Sequence, residues 1–322
     1  MSFTELIHDQ KTPLPVVPET ETCKGGTFIV TGANTGLGFE CAKHLVNLSA
    51  RRVILGVRSL SKGKAAEAKI TAETGREGVV EVLHLDLTSH DSVKEFAKTV
   101  QELDRVDAII ENAGVALDKY TISEGLETTL TVNVISTMLL AVLVLPKLQE
   151  SAKRFNISPH LVVVGSAVAF MAKGELEKIN GDPLDGLKES GMGNRYAVSK
   201  LMQLYAVRHL AATRPVIETG VVINYLNPGL TKTELSRDTG LVSRVMVGIM
   251  RATLARTAEI GSRTLLHAAV VGKEGHGKYI SECDIKEYKI PSWVTDDSGT
   301  HMQTLVWERI SKKLNTIQPG CV

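Results

Sequence analysis

The sequence predicts an α/β fold in which a doubly wound parallel sheet is covered by helices on both faces. Three observations point there. Short β-branched runs that are apolar at nearly every position recur along the chain. Each is followed by a segment of helical length, and the runs lie farther apart than hairpin loops allow, so parallel pairing through helical crossovers is expected.

The elements follow in order. Residues 1–24 carry Pro13, Pro15 and Pro18 among Thr and Glu, which favours an extended arm over a helix or a central strand. Thr27 to Thr31 reads as the first strand and runs through a glycine-rich turn into the helical pattern Phe39 to Leu48. Further strands are expected at Arg52 to Val57, Val79 to Leu85, Asp107 to Ile110, His160 to Val164 and Val221 to Leu226. A helical run covers Glu127 to Leu145, and another opens at Tyr196. After Ser281, Met302, Leu305, Val306, Ile310 and Leu314 have helical spacing, the pattern of a packed face. No Gly/Ser linker, repeat or low-complexity tract divides the chain. One domain is therefore expected over residues 25–282, with an insertion at 172–194 and a substrate cover at 235–256, followed by a helical C-terminal extension at 283–322.

Composition narrows the function. With 43% hydrophobic and 23% charged residues and ten prolines in 322 positions, a mainly disordered, collagen-like or disulfide-scaffold protein is excluded. Lys and Arg total 37 against 36 Asp and Glu, so no global field attracts nucleic acid. Cys23, Cys41, Cys283 and Cys321 form no CxxC pair and the histidines no HExxH, so neither a metal nor a disulfide framework is expected. The strongly apolar run Met138 to Leu145 is too short to span a bilayer, and Glu5 and Asp9 stand where a signal peptide would be basic and then apolar. A cytoplasmic location is the expectation.

The turn Gly32-Ala33-Asn34-Thr35-Gly36-Leu37-Gly38, between a first strand and a helix, is where a phosphate would sit. Glycines permit close backbone approach, and the free N–H groups and dipole of the helix favour an anion. The spacing Gly-x-x-x-Gly-x-Gly resembles the short-chain dehydrogenase/reductase family, and ordered motifs agree with it. Asn112-Ala113-Gly114 follows the strand Asp107 to Ile110, with Glu111 in place of the usual first Asn. Asp86-Leu87 resembles the family's adenine contact. Asn227-Pro228-Gly229-Leu230-Thr231-Lys232-Thr233 is similar to its Pro-Gly segment, implying that Pro228, Gly229, Thr231 and Thr233 hold the nicotinamide carboxamide. The resemblance implies a Rossmann-type dinucleotide fold over residues 25 to 282. At the end of the second strand stands Arg58, with Lys62 and Lys64 beyond and no acid before Glu67. A guanidinium pairs with a ribose 2′-phosphate that a carboxylate would repel, so NADP(H) is the expected cofactor.

Among the tyrosines only Tyr196 has a lysine four positions later, Lys200, and positions i and i+4 share a helix face. The ammonium can sit below the phenol and lower the cost of its oxyanion. The family resemblance adds Ser166, after the strand His160 to Val164, as the hydrogen-bond partner of the substrate oxygen. It adds Asn133 as a structural and proton-relay amide, and Lys200 as a ligand of the nicotinamide ribose. Thirty positions separate Ser166 from Tyr196, and the excess is the Gly-bearing segment Ala172 to Asn194. Retinol-reductase-like and fungal pathway members resemble this chain in that insertion.

The expected function is NADP(H)-dependent interconversion of a ketone or aldehyde and its alcohol on a bulky apolar molecule such as a secondary metabolite. The alternative is a protein of the same fold that binds dinucleotide without redox turnover. Leu241 to Leu254, with apolar residues at helical spacing, is the expected apolar part of the cover. The same stripe could touch a membrane surface. A homodimer through the Asn133 and Tyr196 helices is implied by the resemblance alone.

Overall fold

The structure is a computed structural model that describes residues 3–16, 20–179, 182–184, 187, 192–232 and 254–322. Eight strands form its main sheet: β1 (Thr27–Thr31), β2 (Arg52–Val57), β3 (Val80–His84), β4 (Ala108–Glu111), β5 (His160–Val164), β6 (Val222–Asn227), β7 (Tyr279–Ser281) and β8 (Asp284–Ile285). Their order is β8-β7-β6-β5-β4-β1-β2-β3. All neighbours are parallel except β8 on β7. Thr27–Thr31, Arg52–Val57 and His160–Val164 match the sequence reading residue for residue, and the third strand is one residue shorter at each end than expected. β7 and β8 escape a sequence reading because they are three and two residues long, too short to show a pattern.

The uniform apolarity of the strands has a structural cause. Alternate residues point to opposite faces, and both faces are covered. Phe28, Val30, Val53, Leu55, Ile110 and Val162 enter one core with α2 (Gly36–Asn47), α3 (Leu60–Thr74) and α7 (Ala258–Ala268). Ile29, Ile54, Ile109, Leu161, Val163 and Ile223 enter the other, with α4 (His90–Gln101), α5 (Thr137–Phe155) and α6 (Met192–Thr213). The chain winds outward from β1 to β3, returns to β4 beside β1, and then proceeds in the opposite direction. That reversal opens a crevice beyond the C-terminal ends of β1 and β4, where ligands bind in this architecture.

Two findings differ from the sequence reading, and a third agrees with it. The N-terminal arm is not wholly extended, because Phe3–Lys11 forms helix α1. All three prolines lie beyond it, and a proline disfavours helix only at and just before its own position. The helical run from Glu127 does not stop at Leu145. A π-helical turn at Thr131–Ser136 leads into α5, which continues through Pro146 to Phe155. Pro146 is exposed, so its missing N–H falls on the solvent side. The combined helix Thr128–Phe155 is long and apolar enough to cross a membrane, but 94% of its most apolar stretch is buried in the protein's own core. Finally, the tail forms α8 (Asp297–Ile317), which is capped by Asp296 and lies along α6. Val306, Ile310 and Leu314 are buried as their spacing predicts, and Trp307 joins them by stacking on His209.

The described part of the insertion is anchored: Ala172, Leu176 and Leu184 are buried in the core beside α5 and α6. Gly181, Gly186, Gly191, Thr233 and the apolar stripe of the expected cover, through residue 253, lie outside the described residues.

Candidate active site

The glycine turn is shaped by close approach. Gly32 and Gly36 have φ of +65° and +62°, a region that favours glycine. A Cβ on Gly38 would lie 2.6 Å from Asn112 Nδ2 and 2.9 Å from Gly32 O, so α2 could not seat against the strand ends with any other residue there. Asn112 braces this turn, donating through Nδ2 to Thr31 O at 2.8 Å, while Ala113 N donates to Thr31 Oγ1 at 2.9 Å. Asn112 and Ala113 therefore act on the turn from behind. Thr35, at the N-cap of α2, makes no side-chain cap. Asn34 and Leu37 are half-buried and Thr35 is exposed.

Around the turn, Arg58 is exposed at the end of β2 and has no hydrogen bond or ion pair among the described residues. Lys62 is exposed too, whereas Lys64 is drawn to Glu67 at 2.7 Å. Asp86 uses Oδ1 to accept from Thr88 N and Oγ1, at 2.9 and 2.8 Å, and Leu87 is buried beneath it. Across the crevice, a Cβ on Gly261 of α7 would lie 2.3 Å from Thr231 Cγ2 and 2.9 Å from Leu37 Cδ2. The glycine turn and the Pro228–Thr231 turn thus converge on one glycine.

Asn133, Tyr196 and Lys200 are brought together. Asn133 lies in the π-helical turn and pairs reciprocally with Val115, Oδ1 accepting from its N–H and Nδ2 donating to its carbonyl, both at 2.9 Å. Nδ2 also donates to Ser199 Oγ at 3.0 Å, and Ser199 donates to Tyr196 O at 2.8 Å. Lys200 Nζ lies 5.7 Å from the Tyr196 ring centroid and donates to Val164 O and Gln203 Oε1, each at 2.8 Å. Gly114 is at the same place, since a Cβ there would lie 3.1 Å from Asn133 Oδ1 and 3.8 Å from Lys200 Nζ. Desolvation pulls the Lys200 ammonium down to about 7. Gln203 Nε2 in turn donates to Asn133 O, so one amide bridges Lys200 and the asparagine backbone.

Ser166 is joined to the same cluster by a residue that the sequence reading missed. Tyr225, on β6, accepts from Ser166 N at 3.0 Å, and its hydroxyl lies 3.1 Å from Lys200 O and 3.3 Å from Ser166 O. Burial pushes this phenol up, keeping it neutral. Gly165 makes room for the ring: a Cβ there would lie 1.8 Å from Tyr225 Cζ. A second missed residue is Arg195, fully buried and paired with Glu127 at 3.2 Å. Glu127 also accepts from Thr129 N and Leu130 N, tying the start of α6 to the segment before Asn133. Gln203 alone had a readable signal, lying seven positions after Tyr196 and three after Lys200 on one helical face. Glu111 is buried with both carboxylate oxygens unpartnered among the described residues, and desolvation holds its carboxyl well above the usual carboxylate range.

A profile of the short chain dehydrogenase family matches residues 26–241. The chain is 40% identical over 312 residues to the short chain dehydrogenase/reductase dmxR8 of Cryptosporiopsis sp., covering 94% of each chain. It is 41% identical over 279 residues to the short chain dehydrogenase atnD of Emericella nidulans, covering 84% of this chain and 87% of the relative. In fold it is similar to a putative short chain dehydrogenase of Escherichia coli CFT073 complexed with NADPH, at TM-score 0.61 and 22% identity over 82% of this chain and 99% of that one. A short-chain dehydrogenase of Sphingobium yanoikuyae in complex with NADPH gives TM-score 0.58 and 22% identity over 75% and 82%. The profile match and the two fungal relatives agree with the sheet order and the ordered motifs, and the chain belongs to the short-chain dehydrogenase/reductase family.

Proposed function

We propose that this chain is an NADP(H)-dependent oxidoreductase that interconverts a ketone or aldehyde and its alcohol on a bulky apolar small molecule of the secondary-metabolite kind. The observation that carries the reading is the linked cluster of Asn133, Tyr196 and Lys200, with Ser166 tied to it through Tyr225, beside the crevice of β1 and β4.

The crevice fits a dinucleotide. Gly32 and Gly38 let the turn pack against Ala113 and Asn112 where a Cβ would clash, and Gly36 takes a φ of +62°, so the backbone N–H groups stand open at the N-terminus of α2, which has no side-chain cap. Leu37 and Thr231 meet on its far side. Arg58 would hold the 2′-phosphate, and the relatives in fold complexed with NADPH support that choice. Asp86 and Leu87 would meet the adenine, while Pro228, Gly229, Thr231 and Thr233 would hold the carboxamide. Bound there, the nicotinamide supplies or accepts hydride.

The protein's own groups handle the oxygen. Ser166 and Tyr196 hydrogen-bond the carbonyl, and Tyr196 gives up its proton as charge grows on that oxygen. A free phenol titrates near ~10, so reaching its oxyanion at neutral pH requires about 4 kcal/mol of stabilisation. The protonated form of Lys200, a charge in a desolvated place, supplies much of it. Two of its three protons are held by Val164 O and Gln203 Oε1, leaving the third for Tyr196 or the nicotinamide ribose. Asn133 holds the helix of Tyr196 through Ser199. A homodimer through α5 and α6 would have to form around α8, which lies along α6.

The test is NADPH consumption, followed by absorbance, across a panel of bulky apolar ketones and aldehydes. Tyr196→Phe is expected to lower turnover at least ~10²-fold while NADPH affinity stays near that of the parent. Absence of turnover on every carbonyl, with NADPH still bound, would favour the non-redox alternative.

A further inference from the structure

Helix α1 lies outside every motif used above, yet its end holds the turn assigned to the nicotinamide. Gln10 is 7% exposed, and its amide makes three bonds. Oε1 accepts from Leu230 N at 3.0 Å, and Nε2 donates to Leu230 O at 2.8 Å and to Leu254 O at 3.1 Å. By donating to and accepting from the backbone of one residue, the side chain does what a neighbouring strand would do, at a turn with little ladder of its own.

Other contacts converge on the same place. Arg256 N donates to Leu230 O and Lys232 N to Arg256 O, each at 3.0 Å, pairing the two segments that Gln10 joins. The Arg256 guanidinium donates to Asp9 O near the C-terminal end of α1, the end that favours a cation. The Asp9 carboxylate binds Lys289 at 2.7 Å, and Lys289 also holds Glu282 at 2.9 Å. Gly229 shows how closely α1 is fitted. Its φ is +76°, and a Cβ would lie 2.6 Å from Gln10 Oε1 and 2.8 Å from Arg256 Nη1.

We propose that α1 is a clasp on the nicotinamide end of the crevice, in which Gln10 is a positioning residue that holds the Gly229–Thr231 turn against Leu254–Arg256 before the cofactor arrives. The clasp rests on the dinucleotide reading of that turn. A turn ordered in advance spares binding the cost of ordering it, so the clasp acts on the affinity of the nicotinamide half and leaves the adenosine half alone.

The experiment uses the full chain with Gln10→Ala and the near-isosteric Gln10→Glu, whose carboxylate cannot donate to Leu230 O and Leu254 O. Hydrogen exchange is measured without ligand, and dissociation constants are measured for NADPH and for 2′,5′-ADP, which carries the phosphate end without the nicotinamide. Exchange over residues 229–232 should quicken by about tenfold, with β1 and β4 unchanged. NADPH should weaken by about tenfold, as expected for lost hydrogen bonds, and 2′,5′-ADP by less than about twofold. Unchanged exchange at 229–232 in both variants, or equal weakening of the two ligands, overturns the clasp. If the parent protein binds neither ligand, the dinucleotide reading falls, and exchange still decides whether α1 holds the turn.

Discussion

One phenol, that of Tyr225, touches the backbones of both Ser166 and Lys200, so the group that would meet the substrate oxygen and the helix carrying Tyr196 are both tied to β6. Tyr225→Phe removes only that hydroxyl and leaves Ser166 N–H without its partner, at a cost of about 1 to 3 kcal/mol if it stays buried. Turnover is expected to fall roughly tenfold or more, with the NADPH dissociation constant nearly unchanged, because the hydroxyl of Tyr225 bonds to Ser166 and Lys200 and, among the described residues, makes no hydrogen bond to the glycine turn. Steady-state kinetics alongside a cofactor titration check this, and equal losses in both would move Tyr225 out of the positioning role. Tyr196 and Lys200 could be picked out as candidates from their spacing on one helix, and Ser166 and Asn133 only from the resemblance to the family's motifs. Tyr225 sends no such signal, since an aromatic residue in an apolar strand reads as core.

At the scale of elements, the proposed basis of the cofactor preference is the turn from β2 into α3. Ser59 accepts from Lys62 N and starts α3, leaving Arg58 exposed just before it. A hydrogen bond from a guanidinium to phosphate is worth about 1.5 to 3 kcal/mol, so Arg58→Ala should weaken NADPH by about tenfold or more. NADH, which lacks the phosphate, should change little. Dissociation constants at fixed ionic strength decide the matter, because equal weakening of both cofactors would show that Arg58 is only a solvated helix start. Lys64 adds little to this site, being engaged with Glu67. The π-helical turn before α5 makes a different kind of contribution, placing the Asn133 carbonyl where Gln203 reaches it. No periodicity in Glu127 to Leu145 marks that turn.

For the whole molecule, two buried groups shape the dependence of stability on pH. Burial lowers His160 to about 4, while its Nε2 sits 2.7 Å from Val271 O. Between pH 6.5 and 4 the unfolded chain binds a proton that the folded one refuses, so stability is lost as pH falls through this window. The loss is roughly 3 kcal/mol by pH 4, and His160→Gln should flatten that limb in denaturant titrations across the range. Glu111 has the opposite sign. Its folded carboxyl titrates well above the unfolded value, so the penalty is absent in acid and grows as pH rises. Glu111→Gln should therefore be more stable than the parent at pH 8, with the gain shrinking towards pH 4. A gain independent of pH would mean that charge on Glu111 is not its cause.

The sequence by itself determined six of the eight strands, the doubly wound class and the order of the motifs, because each rests on near neighbours: apolar runs bounded by turns, glycines between strand and helix, a tyrosine and a lysine one helical turn apart. Three strands could be read to the residue for that reason. Tertiary structure decided what depends on residues distant in the chain. Gln10 meets Leu230 and Leu254, Arg195 meets Glu127, and Gly165 is needed only because Tyr225 crosses it. The N-terminal segment read as an extended arm because its prolines are local and visible, whereas the surface that steadies its helix is assembled from residues more than two hundred positions away. Local pattern carries no term for such contacts, and here they hold the parts of the crevice in place.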